Sequence, residues 1–328
     1  MADFRRSVLK RLLQLVAFVG VAFAVYRYGH TYPFALPHRR VPAKFDAIPD
    51  VSLCWVEFAR RETSGQAATA GLSGTKPWSV TVSGLLVRHP RGDVLLDAGN
   101  SSKFLEELRS YGMVNHLLLT EGPGSNRLVS TAPDAIRLRG ADPKNLKWAI
   151  LSHAHIDHAG GLVDLPGVPV LLPQEEIDFI TTFGKMPGNL NVVPAHAKAL
   201  EGRMNVLRFE AKPYETFDES ADIFGDGTLV IVKLPGHTPG SIGTFVNLSP
   251  TRRLLHVGDT VSVLEGIDRR VGKSLPLAWT DFDPDQVGEE ISKLAQLHEV
   301  DPSLPILPAH DRSAWVSFFG DTPTCVRR

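Results

Sequence analysis

The sequence predicts a mixed α/β fold of layered sheets with helices outside, in one large domain with two similar halves. Three observations point there. Short apolar runs of strand length alternate with stretches of helical spacing through both halves of the body. The 28 glycines and 24 prolines among 328 residues divide the chain into many short elements joined by tight turns. Hydrophobic residues at 43% and charged residues at 22% are ordinary for a globular chain, which excludes a disordered, fibrous or multi-span membrane protein. Lys and Arg number 35 against 36 Asp and Glu, a net charge of −1, so no global field draws nucleic acid. Cys54 and Cys325 are the only cysteines, too few for a disulfide scaffold or a Cys-rich zinc finger. Whether they pair with each other stays open.

The chain divides into an N-terminal segment (1–28), a linker (29–49) and a body (50–328). Arg5, Arg6, Lys10 and Arg11 precede 15 uncharged residues, 12–26, in which Gln14 is the one strongly polar member. A basic end followed by an apolar run describes either a secretory signal, with Ala22-Phe-Ala24 as cleavage site, or a membrane anchor. The run is short for a span of ~20 residues. Lys10, Arg11 and Arg27 lengthen it by snorkelling, so an uncleaved hydrophobic anchor helix is expected, ahead of a buried amphipathic helix. Either signal or anchor places the body on the non-cytoplasmic side of a membrane. The linker is rich in Pro, His and Arg and is expected to be extended.

In the body, 51–58 is a strand, and 79–89 with 94–99 makes a hairpin around Pro-Arg-Gly-Asp. Helical pieces are expected at 102–111 and 134–139. A short apolar strand at 146–151 runs into a histidine cluster, followed by a strand at 168–172 and a helix over Gln174–Phe183. Strands recur at 203–209, 229–234, 241–247 and 254–257. Val287, Ile291, Leu294 and Leu297 mark a helix over 283–297, and 304–307 is a last strand.

The cluster reads Ser152-His153-Ala-His155-Ile-Asp157-His158-Ala-Gly-Gly, four candidate metal ligands within six residues. Two histidines at i and i+2 of an extended segment point the same way, and the turn toward Gly-Gly brings Asp157 and His158 to a neighbouring point. Imidazole nitrogen and carboxylate oxygen are donors that zinc accepts. Three later motifs each follow a short apolar strand: Leu-Pro-Gly-His237-Thr-Pro-Gly-Ser, Leu-His-Val-Gly-Asp259-Thr and Ile-Leu-Pro-Ala-His310-Asp311. His30, His38, His89, His116, His196, His256 and His298 lack that context and are taken as structural or surface residues.

The His-x-His-x-Asp-His run and the ordered motifs around Asp97, His237, Asp259 and His310 resemble those of the metallo-β-lactamase superfamily. The resemblance spans roughly 79–311. It implies a four-layer αββα sandwich with the metals in a cleft at one edge of the paired sheets. It further implies one metal on His153, His155 and His237, a second on Asp157, His158 and His310, and Asp259 between them. Two zinc ions are the implied cofactor, with iron or manganese as alternatives. Zinc acidifies water to a pKa of about 7, so a hydroxide shared by two zincs can attack a carbonyl, with Asp157 passing a proton to the leaving group. No protein nucleophile is needed.

Within the superfamily, the motifs are most similar to those of acyl-homoserine lactonases. Those enzymes carry a tyrosine three residues after the bridging aspartate, where this chain has Ser262. True β-lactamases usually lack the bridging aspartate, and nucleases carry extra blocks and basic surfaces. The function expected is hydrolysis of a small ester, lactone or thioester. Glyoxalase-II-like thioester hydrolysis and mononuclear-iron persulfide oxidation are the alternatives, and a membrane-tethered binding protein is a third class. Arg269, Arg270 and Lys273 could serve an anionic substrate, or belong to a solvated loop. The irregular stretch 111–127, with Met113, Val114 and Leu117 to Leu119, is either a core helix or an apolar lid hinged at Gly112, Gly122 and Gly124. The expected partner is a small molecule; oligomeric state is left open.

Overall fold

Side chains on successive strand residues face opposite ways, so a strand that is apolar throughout must be covered on both faces. Several strands of this chain are of that kind. The computed structural model describes residues 2–29, 31–33, 50–64, 77–109, 127–185, 192–278 and 280–327. In chain order the strands are β1 (Ser52–Ser64), β2 (Pro77–Arg88), β3 (Asp93–Leu96), β4 (Arg127–Leu128), β5 (Leu146–Ile150), β6 (Val170–Leu172), β7 (Met204–Val206), β8 (Ser220–Asp222), β9 (Leu229–Lys233), β10 (Ile242–Ser249), β11 (Arg252–His256), β12 (Ile306–Leu307) and β13 (Cys325–Arg327). The helices are α1 (Ala2–Gly29), α2 (Phe104–Arg109), α3 (Ala132–Leu138), α4 (Ile156–Ala159), α5 (Gln174–Phe183), α6 (Pro194–Leu200), α7 (Leu264–Arg269), α8 (Leu275–Ala278), α9 (Pro284–Val300) and α10 (Arg312–Phe319).

Two mixed sheets result. The first runs β13-β1-β2-β3-β5-β6-β7, with β4 added against β1, and the second runs β12-β11-β10-β9-β8. Alternation sorts their side chains into three cores. Val94 and Leu96 of β3 meet Leu229 and Ile231 of β9 between the sheets, together with Trp55 and Trp315. Leu95 faces the other way, toward Ala135 and Ile136 of α3 and Phe179 and Ile180 of α5. Val230 and Val232 turn outward onto Val287, Ile291 and Leu294, the apolar stripe of α9. Helices, sheet, sheet, helices: the four layers follow. Each fully buried side chain of this size contributes about 1.5–3 kcal/mol.

The hairpin of β2 and β3, the strands expected after it, the α5 helix and the α9 helix all lie where the sequence places them. Two of the additions to the sequence reading are β8, which is Ser-Ala-Asp with no strand pattern, and the short α10, which buries Trp315 and Phe319 and is capped by Asp311, whose side chain accepts the Ser313 N–H at 3.1 Å. Cys54 and Cys325 form a disulfide, as opposed residues of the paired strands β1 and β13.

The expected membrane anchor is corrected. The N-terminal segment does form a helix, α1, but no helix among the described residues is long and apolar enough to cross a membrane. The 15 uncharged residues rise only about 22 Å as a helix, against a hydrocarbon core of ~30 Å. The placement of the body beyond a membrane loses its support with the anchor. Of the expected linker, residues 31–33 are described, and Tyr32 docks on the body: its N–H donates to the Arg270 carbonyl at 2.8 Å. Its ring lies where a Cβ on Gly288 would come within 2.3 Å, a contact that only glycine permits. Residues 34–49 lie outside the described residues, as do 111–126 of the stretch 111–127 expected to be a lid or core helix, and its last residue, Arg127, begins β4.

Candidate metal centre

Strand ends place the site. Asp97 follows β3 and the histidine cluster follows β5, both in the first sheet. His237, Asp259 and His310 follow β9, β11 and β12 in the second. The loops at one edge of the two sheets therefore converge, as expected for α/β sheets, whose sites lie beyond the strand ends. The Gly160-Gly161 turn lets the cluster press onto the Asp97 loop. Gly161 donates its N–H to the Gly99 carbonyl at 2.8 Å, and a Cβ there would lie 2.0 Å from the Ala98 oxygen.

Three groups of side chains converge there. His153, His155 and His237 form the first, with all three pairs of ring centroids 4.6 Å apart. His155 presents Nδ1 and His237 presents Nε2 inward, 2.9 Å apart. Asp157, His158 and His310 form a second group, with His310 Nε2 at 3.4 Å from Asp157 Oδ2. Asp259, which groups with His153 and His158, faces both sides. Its Oδ2 lies 3.1 Å from His310 Nε2 and 3.6 Å from His237 Nε2, and its Oδ1 lies 3.4 Å from His158 Nε2. All seven residues expected as ligands thus come together.

Three of the five rings are held from outside. His158 Nδ1 lies 2.9 Å from Asp97 Oδ2, His237 Nδ1 lies 2.8 Å from Asp281 Oδ1, and His310 Nδ1 lies 2.8 Å from the Thr81 carbonyl. Donation outward from Nδ1 leaves the Nε2 lone pair facing the cluster, the tautomer a metal requires. Asp97 is itself fixed by the Ser152 N–H at 2.7 Å and hydroxyl at 2.8 Å. It adopts φ of 57°, a left-handed conformation uncommon outside glycine.

The electrostatics suit a cation. Burial, aided by neighbouring imidazoles, holds His153 and His155 well below the usual histidine range, so both stay neutral donors. Burial disfavours charge on His158, yet Asp97 and Asp259 outweigh it and hold that ring well above the usual range. Burial likewise opposes ionisation of Asp259, but His310 and His158 keep it well below the carboxylate range. His153 Nε2, His158 Nε2 and Asp259 Oδ1 are buried with no hydrogen-bond partner among the described residues. Buried ligand atoms left without partners, in an imidazole and carboxylate set, fit zinc.

The supporting residues escape sequence reasoning. Asp281 holds His237 from 44 positions away, with no ligand-like spacing to reveal it. Glu176 is fully buried and ties the two halves of the site: it accepts the Ala154 N–H at 2.7 Å, the Thr238 hydroxyl at 2.7 Å and the Gly240 N–H at 3.1 Å. The three cations weighed as either an anion site or a solvated loop are dispersed. Lys273 is buried, ion-paired with Asp281 and 2.7 Å from His237 Nδ1; exposed Arg269 pairs with Glu265; Arg270 caps α7 in a left-handed conformation. Ser262 is buried. Of the histidines set aside, His89 and His196 are buried outside the ligand groups, His256 is buried beside the site with Nε2 3.9 Å from Asp97 Oδ2, His298 pairs with Asp268 at 2.8 Å, and His30, His38 and His116 lie outside the described residues.

The profile of the metallo-beta-lactamase superfamily matches residues 78–310. N-acyl homoserine lactonase AttM of Rhizobium radiobacter is 26% identical over 247 residues, covering 74% of this chain and 86% of that one. A structure of an N-acyl homoserine lactone hydrolase, with the product N-hexanoyl-L-homoserine at its catalytic metal centre, superposes with a TM-score of 0.60 at 18% identity, covering 81% of this chain and 95% of the other. The dizinc quorum-quenching lactonase AidC superposes with a TM-score of 0.56 at 18% identity, covering 81% and 90%. At these identities the superpositions speak to the fold.

Proposed function

The chain belongs to the metallo-β-lactamase superfamily, and from that membership we propose that it is a dinuclear zinc hydrolase opening a small lactone, ester or thioester. The observation that carries this is Asp259, whose oxygens face both ligand groups within 3.1–3.6 Å. His153, His155 and His237 would hold one zinc, and Asp157, His158 and His310 the other. A carboxylate between two cations offsets their repulsion, which a mononuclear site would not need. The likeness to AttM supports a lactone as substrate.

A zinc pair supplies a water acidified toward a pKa of about 7 and polarises the carbonyl under attack. The protein's own groups do the rest. Asp97, Asp281 and the Thr81 carbonyl keep three rings oriented. Asp157, with its side chain 20% exposed, is more open than Asp259 at 13%. It is therefore placed to hold a proton on its free oxygen and deliver it to the leaving alkoxide.

Elemental analysis with steady-state kinetics tests the proposal. Two zincs per chain are expected, with lactones or aryl esters turned over faster than a β-lactam or a phosphodiester. Asp259→Ala should lose metal and activity together. One iron per chain would favour persulfide oxidation, and a phosphodiester turned over as fast as the lactones would overturn carbonyl hydrolysis.

A further inference from the structure

Beyond Ala59 the hairpin of β1 and β2 leaves the core and runs beside the metal centre. Thr81 holds His310 through its carbonyl, and Val80 bridges to Asp311. The register opposes Ala59 to Val82, Arg61 to Val80 and Thr63 to Trp78. Opposed residues of an antiparallel pair share a face. Ala59 and Val82 point into the core beneath the helices, so Arg61, Val80 and Trp78 continue that same face toward the site. There Val80 and Trp78 form a separate apolar cluster with Val263, four residues beyond Asp259.

Two donors on this face lack acceptors. Arg61 Nε and Trp78 Nε1 are both buried and neither has a hydrogen-bond partner among the described residues. Trp78 is only 7% exposed. A buried N–H without an acceptor costs stability and is uncommon; two on one small patch beside a reactive centre call for a ligand that brings the acceptor. Burial lowers the pKa of Arg61, and the nearby Asp157 carboxylate opposes that shift. A carbonyl oxygen has two lone pairs, one for each of these N–H groups, and is a neutral acceptor that fits such a patch.

We propose that Arg61 and Trp78 form a substrate subsite. Their N–H groups receive a carbonyl oxygen that the substrate carries outside the scissile bond, such as that of an amide, while Val80 and Val263 take the adjoining apolar chain. The subsite rests on the carbonyl-hydrolase function proposed above.

Two γ-butyrolactones of equal length, one with an acylamino and one with an alkyl substituent, test it on zinc-loaded full-length protein. The readouts are the ratio of kcat/KM for the pair, the Kd of the two ring-opened acids by calorimetry, and bound zinc. The unaltered protein is expected to prefer the acylamino lactone. Arg61→Met should lower that preference about tenfold, ~1.4 kcal/mol, and Trp78→Phe, which keeps the ring and removes the N–H, about threefold. The Kd values should shift in the same sense, with zinc retained. A preference unmoved in both variants, or one that falls only together with zinc, overturns the subsite. If the unaltered protein opens neither lactone, the lactone reading fails, and the Kd comparison still decides the subsite.

Discussion

His158, His237 and His310 each turn Nδ1 toward an acceptor fixed by another part of the chain, and that contact decides which nitrogen faces the cluster. Asp281 is the most telling of the three acceptors. Its carboxylate takes both His237 and Lys273, so the cation balances it in a buried setting. Replacing Asp281 with asparagine keeps the size and removes the charge. Zinc affinity should then fall roughly 10–100-fold, the usual effect of losing such a partner, with one of two zincs lost first. Competition against a chromophoric chelator measures this. Affinity equal to that of the unaltered protein would show that Asp281 does not orient His237.

At the level of elements, α9 closes the second sheet. Its N-terminus is capped by Asp283, which accepts the Asp285 and Gln286 N–H groups at 3.1 Å. The helix also buries Glu290, whose pKa is pushed up to about 7 by burial, with Lys293 at 2.7 Å offsetting only part of the cost. The sign of the pH effect follows. Below about 4.5 the carboxyl is protonated in folded and unfolded chains alike, and its contribution to stability is fully present. As pH rises through about 7 that contribution is lost, because the unfolded chain ionises more readily. Glu290→Gln should therefore gain about 1–3 kcal/mol over the unaltered protein at pH 8 and little at pH 4.5. Urea denaturation at the two pH values checks it, and a gain independent of pH would refute the assignment.

Across the whole molecule, three apolar layers hold two sheets between helices, and one covalent link joins the ends of the body. The disulfide connects β1 to β13 across 271 residues of sequence. In the chain-entropy account, closing so long a loop restricts the unfolded chain strongly, and disulfides typically contribute about 2–4 kcal/mol. Cys325→Ser should lower stability by that amount. Reductant should destabilise the unaltered protein equally and leave the variant unmoved. Thermal unfolding with and without reductant makes the comparison, and a variant as stable as the oxidised protein would deny the link any role.

Local patterns carried much of this molecule. Apolar runs marked the central strands, helical spacing marked α5 and α9, and the histidine motifs named all seven residues that converge in the cluster. Those signals are short-range, because strand and helix periods and ligand spacing repeat within a few residues. The apolar N-terminal run misled for a related reason: composition resembles an anchor, while crossing a membrane depends on length as well. Tertiary structure alone decided the pairing of Cys54 with Cys325, the burial of Lys273 and the contacts of Asp281 and Glu176. It alone placed Arg61 and Trp78 on one face beside the cleft. A partner for a histidine ring or a buried carboxylate is chosen by which strand ends meet in space, and residues 229 positions apart, such as Thr81 and His310, leave no periodic trace of that meeting.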